Sequence, residues 1–174
     1  PTTFNARLVP TTKMEYGRGP GQLQLGQVHD PLAAMQDGIS GNAGLFSTVD
    51  DLSKFAQMLL NQGELNGIRI LQPETIAQMI RVQNPGAKNT EGKPAPRGLL
   101  WGVYQSDSSN QDQDSLVAYG HTGYTGTAIR IYPHQGIYII ALANRVHPDD
   151  SGKVEKFRKA VWCTVREVLM DTNR

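Results

Sequence analysis

Residues 127–144 carry the strongest structural signal in the chain: Thr127-Ala-Ile-Arg-Ile-Tyr132-Pro-His-Gln-Gly136-Ile-Tyr-Ile-Ile-Ala-Leu-Ala-Asn144. Two apolar runs rich in isoleucine flank Pro133-His-Gln-Gly136, and this proline and glycine are typical of a tight turn. The stretch therefore predicts a β-hairpin. The run 137–143 is apolar at consecutive positions, which indicates a strand covered on both faces. We expect these residues to form part of an antiparallel sheet.

Neighbouring segments extend this sheet and supply a helix to cover it. Leu99–Tyr104 and Leu116–Tyr119 are predicted strands, and the polar residues 106–115 between them predict a solvated hairpin loop. Residues 152–170 keep apolar side chains at helical spacing. We expect this last helix to pack across 137–143, because a helix on an antiparallel sheet forms an α+β layer.

Two predicted helices precede the sheet. Thr48-Val-Asp-Asp51 has the spacing of a capping box, and Gly63 supplies a left-handed stop. After a short link, residues 64–72, Pro73 is well placed to begin the second helix. The polar, proline-rich residues 83–98 predict an exposed loop. The side chains expected to face the core are Leu52, Phe55, Ala56, Leu59 and Leu60 in the first helix and Ile76, Met79 and Ile80 in the second.

The predicted organisation is a single domain over residues 1–174. It consists of an irregular segment (1–45), a helical segment (46–98), and antiparallel strands plus a C-terminal helix (99–174). Residues 1–45 show no sustained period and contain recurrent glycine and proline. An irregular segment of that length is uncommon in a compact domain unless it is functional or lacks supporting structure, and we expect the second explanation here.

Composition excludes several classes of function. Lys and Arg number 17 against 16 Asp and Glu, a net charge of 17 − 16 = +1, which argues against a nucleic-acid or anionic-membrane partner. The single cysteine, Cys163, excludes an intrachain disulfide and a cysteine-cluster metal site. No apolar run approaches the ~20 residues of a transmembrane helix, and no signal peptide is visible.

None of the four histidines has the spacing of a metal site. His134 and His147 are expected in a turn and a loop. His29 precedes Asp30, and we expect a structural hydrogen bond there in preference to catalysis. A metal site formed by His29, Asp30 and His121 is the weakest alternative, so neither a metal nor another cofactor is expected.

The sequence Gly120-His-Thr-Gly-Tyr-Thr-Gly-Thr127, next to a predicted strand, holds the best candidate site. Gly123 lets a ligand lie against the backbone, and the His121 imidazolium and Thr122 hydroxyl are suited to hold a carboxylate. The next backbone N–H, that of Tyr124, is suited to donate to an oxyanion. A glycine-rich hairpin without function has the same spacing, so spacing alone leaves both alternatives open.

Longer motifs resemble one enzyme family. His121-Thr-Gly123 resembles the Lys-Thr-Gly element of serine β-lactamases and penicillin-binding proteins. Gly41-Asn-Ala-Gly-Leu-Phe-Ser-Thr-Val-Asp-Asp-Leu52 and Gly67-Ile-Arg-Ile-Leu-Gln-Pro-Glu-Thr75 are similar to two further stretches of that family. Gly26-Gln-Val-His-Asp30 and Asn144-Arg-Val-His-Pro148 most resemble its penicillin-binding-protein and esterase branch, near class C β-lactamases.

The nucleophile motif of that family, S-x-x-K, is absent from the sequence. None of the eight serines is followed by lysine three positions later. Thr90-x-x-Lys93 has the spacing but lies in a predicted loop, and Tyr104-Gln-Ser106 matches the family's Tyr-x-Ser element by letters only. Both family elements precede the region that matches here, and Pro1-Thr-Thr-Phe-Asn5 resembles the stretch just after the second. We therefore expect an α+β chain that is a truncated, C-terminal part of the β-lactamase/transpeptidase-like fold.

The resemblance implies that the longer protein is a serine hydrolase acting through an acyl-enzyme, as a β-lactamase, a D-Ala-D-Ala carboxypeptidase or an esterase, and that this chain alone is inactive. It assigns substrate binding to His121, Thr122 and Gly123 and a backbone oxyanion donor to Tyr124. It also implies that the His-Thr-Gly strand lies at the edge of the sheet. The alternative is a non-catalytic relic of that fold that binds peptidoglycan or a protein.

The resemblance further implies partners and a location. The expected partners are a small-molecule or peptide substrate with a carboxylate and an N-terminal segment of the same protein. Because such a truncation leaves a sheet edge uncovered, self-association through that edge is also expected. The expected location is extracytoplasmic, that is, periplasmic or secreted.

Overall fold

The structure, a computed structural model, describes residues 8–11, 24–105, 116–148, 150 and 153–171. Its helices and antiparallel sheets confirm the predicted α+β class. The predicted loop 106–115, the Pro1–Asn5 stretch and the predicted helix start at residue 152 lie outside the described residues. In chain order the elements are α1 (Pro31–Met35), α2 (Val49–Leu60), β1 (Glu64–Leu65), β2 (Ile68–Arg69), α3 (Pro73–Ile80), β3 (Gly102–Gln105), β4 (Leu116–Thr122), β5 (Ala128–Tyr132), β6 (Ile137–Ala141) and α4 (Glu155–Asp171).

The chain divides into two compact units. The first, which we call the sheet unit, comprises residues 49–123 and 128–141 and holds α2, α3 and the six strands named above. The second, which we call the terminal unit, comprises residues 124–127 with the described parts of 1–48 and 142–174, and it holds α1 and α4.

Four strands of the sheet unit form an antiparallel sheet in the order β3-β4-β5-β6. The hairpin predicted from residues 127–144 is confirmed as β5 and β6, with Tyr132 paired to Ile137. Gly136 has a φ of 65° and its N–H donates to the Pro133 carbonyl at 3.3 Å. Glycine suits this turn because it adopts positive φ without steric cost. The side chains of β6 are half-buried or buried and α2 packs against this strand, whereas Leu142, which belongs to the predicted apolar run, lies beyond the strand and is exposed.

β4 is longer and more internal than the sequence predicts. It extends to Thr122, so His121 and Thr122 belong to the strand itself. The expectation that this strand lies at the sheet edge is wrong over most of its length, because β3 pairs on one side of it and β5 on the other. The pairing with β3 nevertheless ends at Gly120, whereas β5 continues to pair with His121 and Thr122. The last two residues of β4 therefore extend past the end of β3.

Both predicted helices of the sheet unit are confirmed. α2 ends as expected: Gly63 has a φ of 95°, and its N–H donates to the Met58 carbonyl at 2.8 Å. An added Cβ at Gly63 would lie 2.2 Å from the Leu71 carbonyl oxygen, so the position requires glycine for space as well as for φ. α3 begins at Pro73, whose missing N–H costs nothing in the first turn of a helix.

The core of the sheet unit lies between its helices and one face of the sheet. Trp101 packs edge-on against Tyr119, with ring centres 5.5 Å apart, and burial raises the pKa of the Tyr119 phenol. Phe55 was expected inside, yet it is 41% exposed and stacks on Trp101 with ring centres 6.4 Å apart, whereas Met58 is buried. The buried core residues are Ala56, Met58, Leu59, Ile76, Trp101, Tyr119 and Ile131. Since Tyr119 is one of them, this core anchors β4 two residues before His121.

Two small elements lie where the sequence predicts irregular chain. α1 falls within residues 1–45, where the Asp30 carboxylate accepts the Ala33 N–H at 2.8 Å and Pro31 is the first helical residue. β1 and β2 pair within the predicted link 64–72. Their turn is Asn66-Gly67, with φ values of 52° and 79°, the positive values that an Asn-Gly hairpin turn requires.

The predicted strand Leu99–Tyr104 begins three residues late, at Gly102. Leu99 and Leu100 are exposed, and the Leu99 N–H donates to the Met79 carbonyl at 3.0 Å in place of a ladder bond. The N–H of Gly98 donates to the Trp101 carbonyl at 2.9 Å, which closes a turn across these residues. Of the apolar residues 99–101, Trp101 is therefore the one that is buried, and none of the three belongs to the strand.

α4 confirms the C-terminal helix, from Glu155 to Asp171. It belongs to the terminal unit, and its packing across 137–143 stays a prediction. None of the helices in the described part of the chain combines the length and apolar character that crossing a bilayer requires.

Candidate functional site

The end of β4 presents two polar side chains to solvent. His121 pairs with Ile129 and Thr122 with Ala128, and both β4 residues are exposed. Among the described residues, none hydrogen-bonds to the His121 imidazole or to the Thr122 hydroxyl. Because β3 begins at Gly102, opposite Gly120, the backbone of residues 121–122 has one side without a strand partner in the part of the chain that the structure describes. We call this side the open edge of β4.

His121 and Thr122 belong to opposite faces of the sheet, because successive side chains of a strand alternate. On the face that carries His121, its cross-strand neighbour in β5 is Ile129. On the face that carries Thr122, the cross-strand neighbour is Ala128, which is buried. A ligand lying flat on one face would reach only one of the two side chains. Both are within reach only of a ligand that lies along the open edge of the strand, parallel to its backbone.

Gly120 fixes the distance between β4 and β5 just before this edge. A Cβ at this position would lie 2.3 Å from the Ile129 carbonyl oxygen and 3.0 Å from the Arg130 Cα. Neither atom is the flexible end of a side chain, so the two strands approach this closely only because residue 120 is glycine. Gly123, the next glycine of the motif, directly follows the strand and is half-buried.

Tyr124 opens the short segment 124–127 of the terminal unit and is 62% exposed. Its ring stacks on His29, with centres 5.6 Å apart and planes 17° apart. The Arg145 guanidinium carbon lies 4.2 Å from the ring centre, and Arg145 Nε donates to the Tyr124 carbonyl at 2.8 Å. The phenol donates a hydrogen bond to Asp150, which raises the pKa of Tyr124 above its ordinary value. An exposed tyrosine is thus held at its ring, its hydroxyl and its carbonyl.

The Tyr124 N–H, which the resemblance assigns as an oxyanion donor, has no hydrogen-bond acceptor among the residues that the structure describes. The carbonyl of the same residue is occupied by Arg145. Among the described residues, the donor of Tyr124 thus has no partner, whereas its carbonyl accepts one hydrogen bond.

Within the adjacent pair His29-Asp30, Asp30 makes the structural hydrogen bonds. The Asp30 carboxylate caps α1 through the Ala33 N–H at 2.8 Å and accepts from Asn42 Nδ2 at 3.0 Å. These bonds, the Ala33 N–H foremost, lower the pKa of Asp30 below its ordinary value. His29 stacks on Tyr124. Within the described residues, no group of three or more His, Cys, Asp or Glu side chains has a geometry that could hold a metal ion.

The described residues of the two motifs that were set aside as nucleophile candidates, Thr90-x-x-Lys93 and Tyr104-Gln-Ser106, lie outside any helix. Thr90 and Lys93 belong to a loop in which the Asn89 side chain accepts the Glu91 and Lys93 N–H groups, at 3.0 and 2.9 Å. The Lys93 ammonium pairs with Glu91 at 2.7 Å, and this bond raises the pKa of Lys93. Tyr104 lies on β3, and Ser106 lies outside the described residues. No helix therefore aligns a hydroxyl with the amine of Lys93.

Arg145 and Asp150 are the site residues that sequence reasoning did not assign. The Arg145 Nη2 pairs with Asp150 Oδ1 at 3.1 Å, and both contact Tyr124. Arg145 belongs to the stretch Asn144-Arg-Val-His-Pro148, which the sequence singles out only through its resemblance. Nothing in its spacing from Tyr124 predicts the contact, because the two residues come together through tertiary structure.

Comparison with known proteins identifies the family. The family model described as Beta-lactamase matches residues 5–161. The chain belongs to the β-lactamase family. This match, together with relatives named as carboxypeptidases, confirms the resemblance to the serine β-lactamases and penicillin-binding proteins and supports membership of a serine hydrolase family.

Relatives of this β-lactamase-family chain carry a more specific name. Proteins of Salmonella gallinarum, Salmonella paratyphi B and Salmonella newport, each named "Putative D-alanyl-D-alanine carboxypeptidase", are 36% identical to it over 126 residues. Each match covers 70% of this chain and 27% of the relative. The chain thus spans about a quarter of the length of these curated relatives.

Proposed function

We propose that this chain supplies the substrate-binding strand and one oxyanion donor of a serine acyl hydrolase that acts on peptides ending in D-alanyl-D-alanine. The observation that carries the proposal is the end of β4, where exposed His121 and Thr122 flank a backbone edge that β3 leaves open. Family membership and the names of the relatives support the reaction class. The serine nucleophile comes from outside these 174 residues, since none of them forms S-x-x-K.

The open edge suits an extended peptide with a terminal carboxylate. Such a peptide adds to the side of β4 that β3 leaves free, as an extra strand adds to a sheet edge. Thr122 and His121, on opposite faces, then reach its carboxylate from both sides, with the imidazole supplying positive charge when protonated. We assign the oxyanion of the peptide carbonyl to the Tyr124 N–H, as the family resemblance implies.

The proposed reaction is acyl transfer in two steps. The serine oxygen bonds to the carbonyl carbon, and the oxyanion that forms accepts a hydrogen bond from the Tyr124 N–H. The C–N bond then breaks, the serine proton passes to the departing D-alanine amine, and an acyl-enzyme remains. Water hydrolyses this ester, which regenerates the serine. One oxyanion donor typically contributes on the order of 10²–10³ in rate.

Three substrate types distinguish a carboxypeptidase, a β-lactamase and an esterase. D-Ala-D-Ala peptides and penicillins both carry a carboxylate that Thr122 and His121 can bind, whereas a simple ester does not. A Thr122→Val variant should therefore react more slowly with D-Ala-D-Ala peptides and penicillins and hydrolyse an ester at nearly the same rate. We further propose an extracytoplasmic location, because peptidoglycan peptides are found there.

The test uses the full reading-frame product, meaning the longest polypeptide whose coding sequence contains this chain. It is incubated with a fluorescent penicillin and separately assayed for D-alanine release, beside the 174-residue chain alone. We expect acylation at an S-x-x-K serine of the full product and none in the chain alone. Thr122→Val should reduce D-alanine release about 10-fold or more, as expected for loss of a hydrogen bond to a charged group. Thr90→Val, an exposed loop threonine, is the matched control and should leave it unchanged.

Two results would count against the proposal. A covalent adduct on the 174-residue chain alone would show that the nucleophile lies within it. A full product without S-x-x-K that binds D-Ala-D-Ala peptides but releases no D-alanine would favour the non-catalytic relic.

A further inference from the structure

Arg145 is the centre of a compact network within the terminal unit. Its Nε donates to the Tyr124 carbonyl at 2.8 Å, its Nη2 pairs with Asp150 at 3.1 Å, and its own backbone N–H donates to the Thr125 carbonyl at 2.8 Å. Its guanidinium also lies over the Tyr124 ring at 4.2 Å. The side chain is only 17% exposed, although the tyrosine that it contacts is mostly exposed. One arginine thus holds two consecutive carbonyls, an aromatic ring and a carboxylate.

We propose that Arg145 is a positioning residue that orients the Tyr124 N–H for oxyanion binding, an inference that rests on the proposed function. A residue has two soft backbone dihedrals. The bond to the Tyr124 carbonyl restricts ψ, while the ring contacts of Arg145 and His29 and the phenol bond to Asp150 fix the side chain. With the carbonyl and the side chain held, the tetrahedral geometry at Cα fixes the position of the Tyr124 nitrogen, and rotation about the N–Cα bond (φ) is the one soft dihedral that still changes the direction of its N–H.

This role matches what an oxyanion donor needs. Such a donor acts when its N–H already points to the place where charge develops, at 2.7–3.1 Å. Tyr124 lies beyond the end of β4, so the hydrogen bonds of the strand ladder do not hold it. Side-chain contacts perform this task, and Arg145 makes the largest number of them.

Arginine is suited to this arrangement in a way that lysine is not. The guanidinium is planar, so Nε and Nη2 can donate to two different acceptors while the plane covers an aromatic ring. An ammonium at the same place keeps the charge beside Asp150 but cannot keep the carbonyl bond and the ring contact together. Arg145→Lys should therefore restore only part of what Arg145→Met loses.

A purely structural role makes a different prediction. Asp150 is 38% exposed, and partly exposed ion pairs contribute little to folding stability. If Arg145 only stabilised the fold, its loss would change the acylation rate no more than the loss of another arginine with similar bonds. Arg69 is that control: it donates to the Gln62 and Leu71 carbonyls and pairs with Glu64.

The experiment measures single-turnover acylation of the full reading-frame product by a fluorescent penicillin, over a range of concentrations that separates binding from chemistry. We expect Arg145→Met to lower the limiting acylation rate about 10- to 100-fold, the range that a misplaced group of about 1 Å produces. The dissociation constant should change much less, because Thr122 and His121 are untouched. Arg145→Lys should fall between, and Arg69→Met should match the unsubstituted protein. Circular dichroism and melting temperature confirm that each variant is folded.

The outcomes separate the two proposals. Acylation of the unsubstituted product with equal rates for Arg145→Met and Arg69→Met overturns the positioning role alone. Absence of acylation in the unsubstituted product overturns the proposed function and this inference with it. An increase in the dissociation constant without a change in limiting rate also contradicts the inference, since it would place Arg145 in ground-state binding.

Discussion

Gly120 offers the sharpest test of how β4 is held in place. Substitution with alanine would put a Cβ 2.3 Å from the Ile129 carbonyl oxygen, whereas ordinary van der Waals contact begins at 3.4 Å. The overlap is 3.4 − 2.3 = 1.1 Å, and the obstructing atom belongs to a backbone that cannot rotate away. β4 and β5 must therefore separate by about that distance at the residue next to His121.

The cost follows from two opposing effects. Forcing extra volume into a packed site typically costs about 1–3 kcal/mol, and a backbone obstacle favours the upper part of that range. Replacing glycine lowers the entropy of the unfolded chain, which offsets roughly 0.4–1 kcal/mol. We expect Gly120→Ala to lower the free energy of unfolding by about 2 kcal/mol, or roughly 4–8 °C in melting temperature for a chain of this size.

The assay is urea unfolding followed by the fluorescence of Trp101, which is in the core of the same unit, in a Trp162→Phe background. Two alanine variants of the sheet unit provide a graded control. At Gly86 the nearest atom to a new Cβ is 3.9 Å away, and at Gly102, which pairs with Gly120, it is 3.4 Å away. We expect little change at Gly86, a small loss at Gly102 and the large loss at Gly120. Equal unfolding midpoints for Gly120→Ala and Gly86→Ala would refute the close approach of the two strands.

Three further predictions concern the candidate site, a helix cap and a turn. If the His121 imidazolium holds a carboxylate, His121→Ala should weaken binding of a D-Ala-D-Ala peptide to the full reading-frame product, whereas His121→Lys should retain it. Equal affinity of the unsubstituted protein and His121→Ala would exclude this role. The bonds of Asp30 to the Ala33 N–H and to Asn42 lower its pKa, so its stabilising effect is complete above pH 3.8 and is lost as the pH falls through the lower pKa of the folded state. Lowering the pH should therefore reduce the free energy of unfolding more in the unsubstituted chain than in Asp30→Asn. Parallel plots of this free energy against pH for the two proteins would contradict the prediction. Gly67→Ala should lower the free energy of unfolding by about 1–2 kcal/mol, because alanine is strained at the positive φ of this residue. No atom lies within 4 Å of the new Cβ, so no steric overlap adds to this cost. An unchanged urea midpoint would show that the turn relaxes.

Elements with a local signal could be predicted from the sequence. The turn at Gly136, the stop at Gly63 and the helix start at Pro73 depend on backbone preferences of single residues, and the structure confirms each of them. Asn66-Gly67 carries an equally local signal that the sequence analysis did not use, because the strands on each side are only two residues long.

Other features depend on tertiary pairing and carry no local signal. The length of β4 past Gly120 depends on β5 continuing opposite it, and the late start of β3 depends on the bond between Leu99 and the Met79 carbonyl. The contacts of Arg145 with Tyr124 join residues 21 positions apart. A motif could therefore indicate which residues of the candidate site matter, but not which side chains hold them.

The two parts of the candidate site are held by different forces, and this difference predicts how each should respond to substitution. His121 and Thr122 are positioned by backbone pairing with β5 and by the buried Tyr119 two residues earlier, so side-chain changes there should alter ligand affinity without moving the strand. Tyr124 is positioned by side chains that are partly exposed, so changes in Arg145 should alter the geometry of its N–H without removing a ligand contact. Affinity and acylation rate should consequently be separable by substitution. If every variant of these residues changed affinity and acylation rate in proportion, the same contacts would have to hold His121, Thr122 and Tyr124 together. The pairing of β4 and the contacts of Arg145 are separate, so we expect no such proportion.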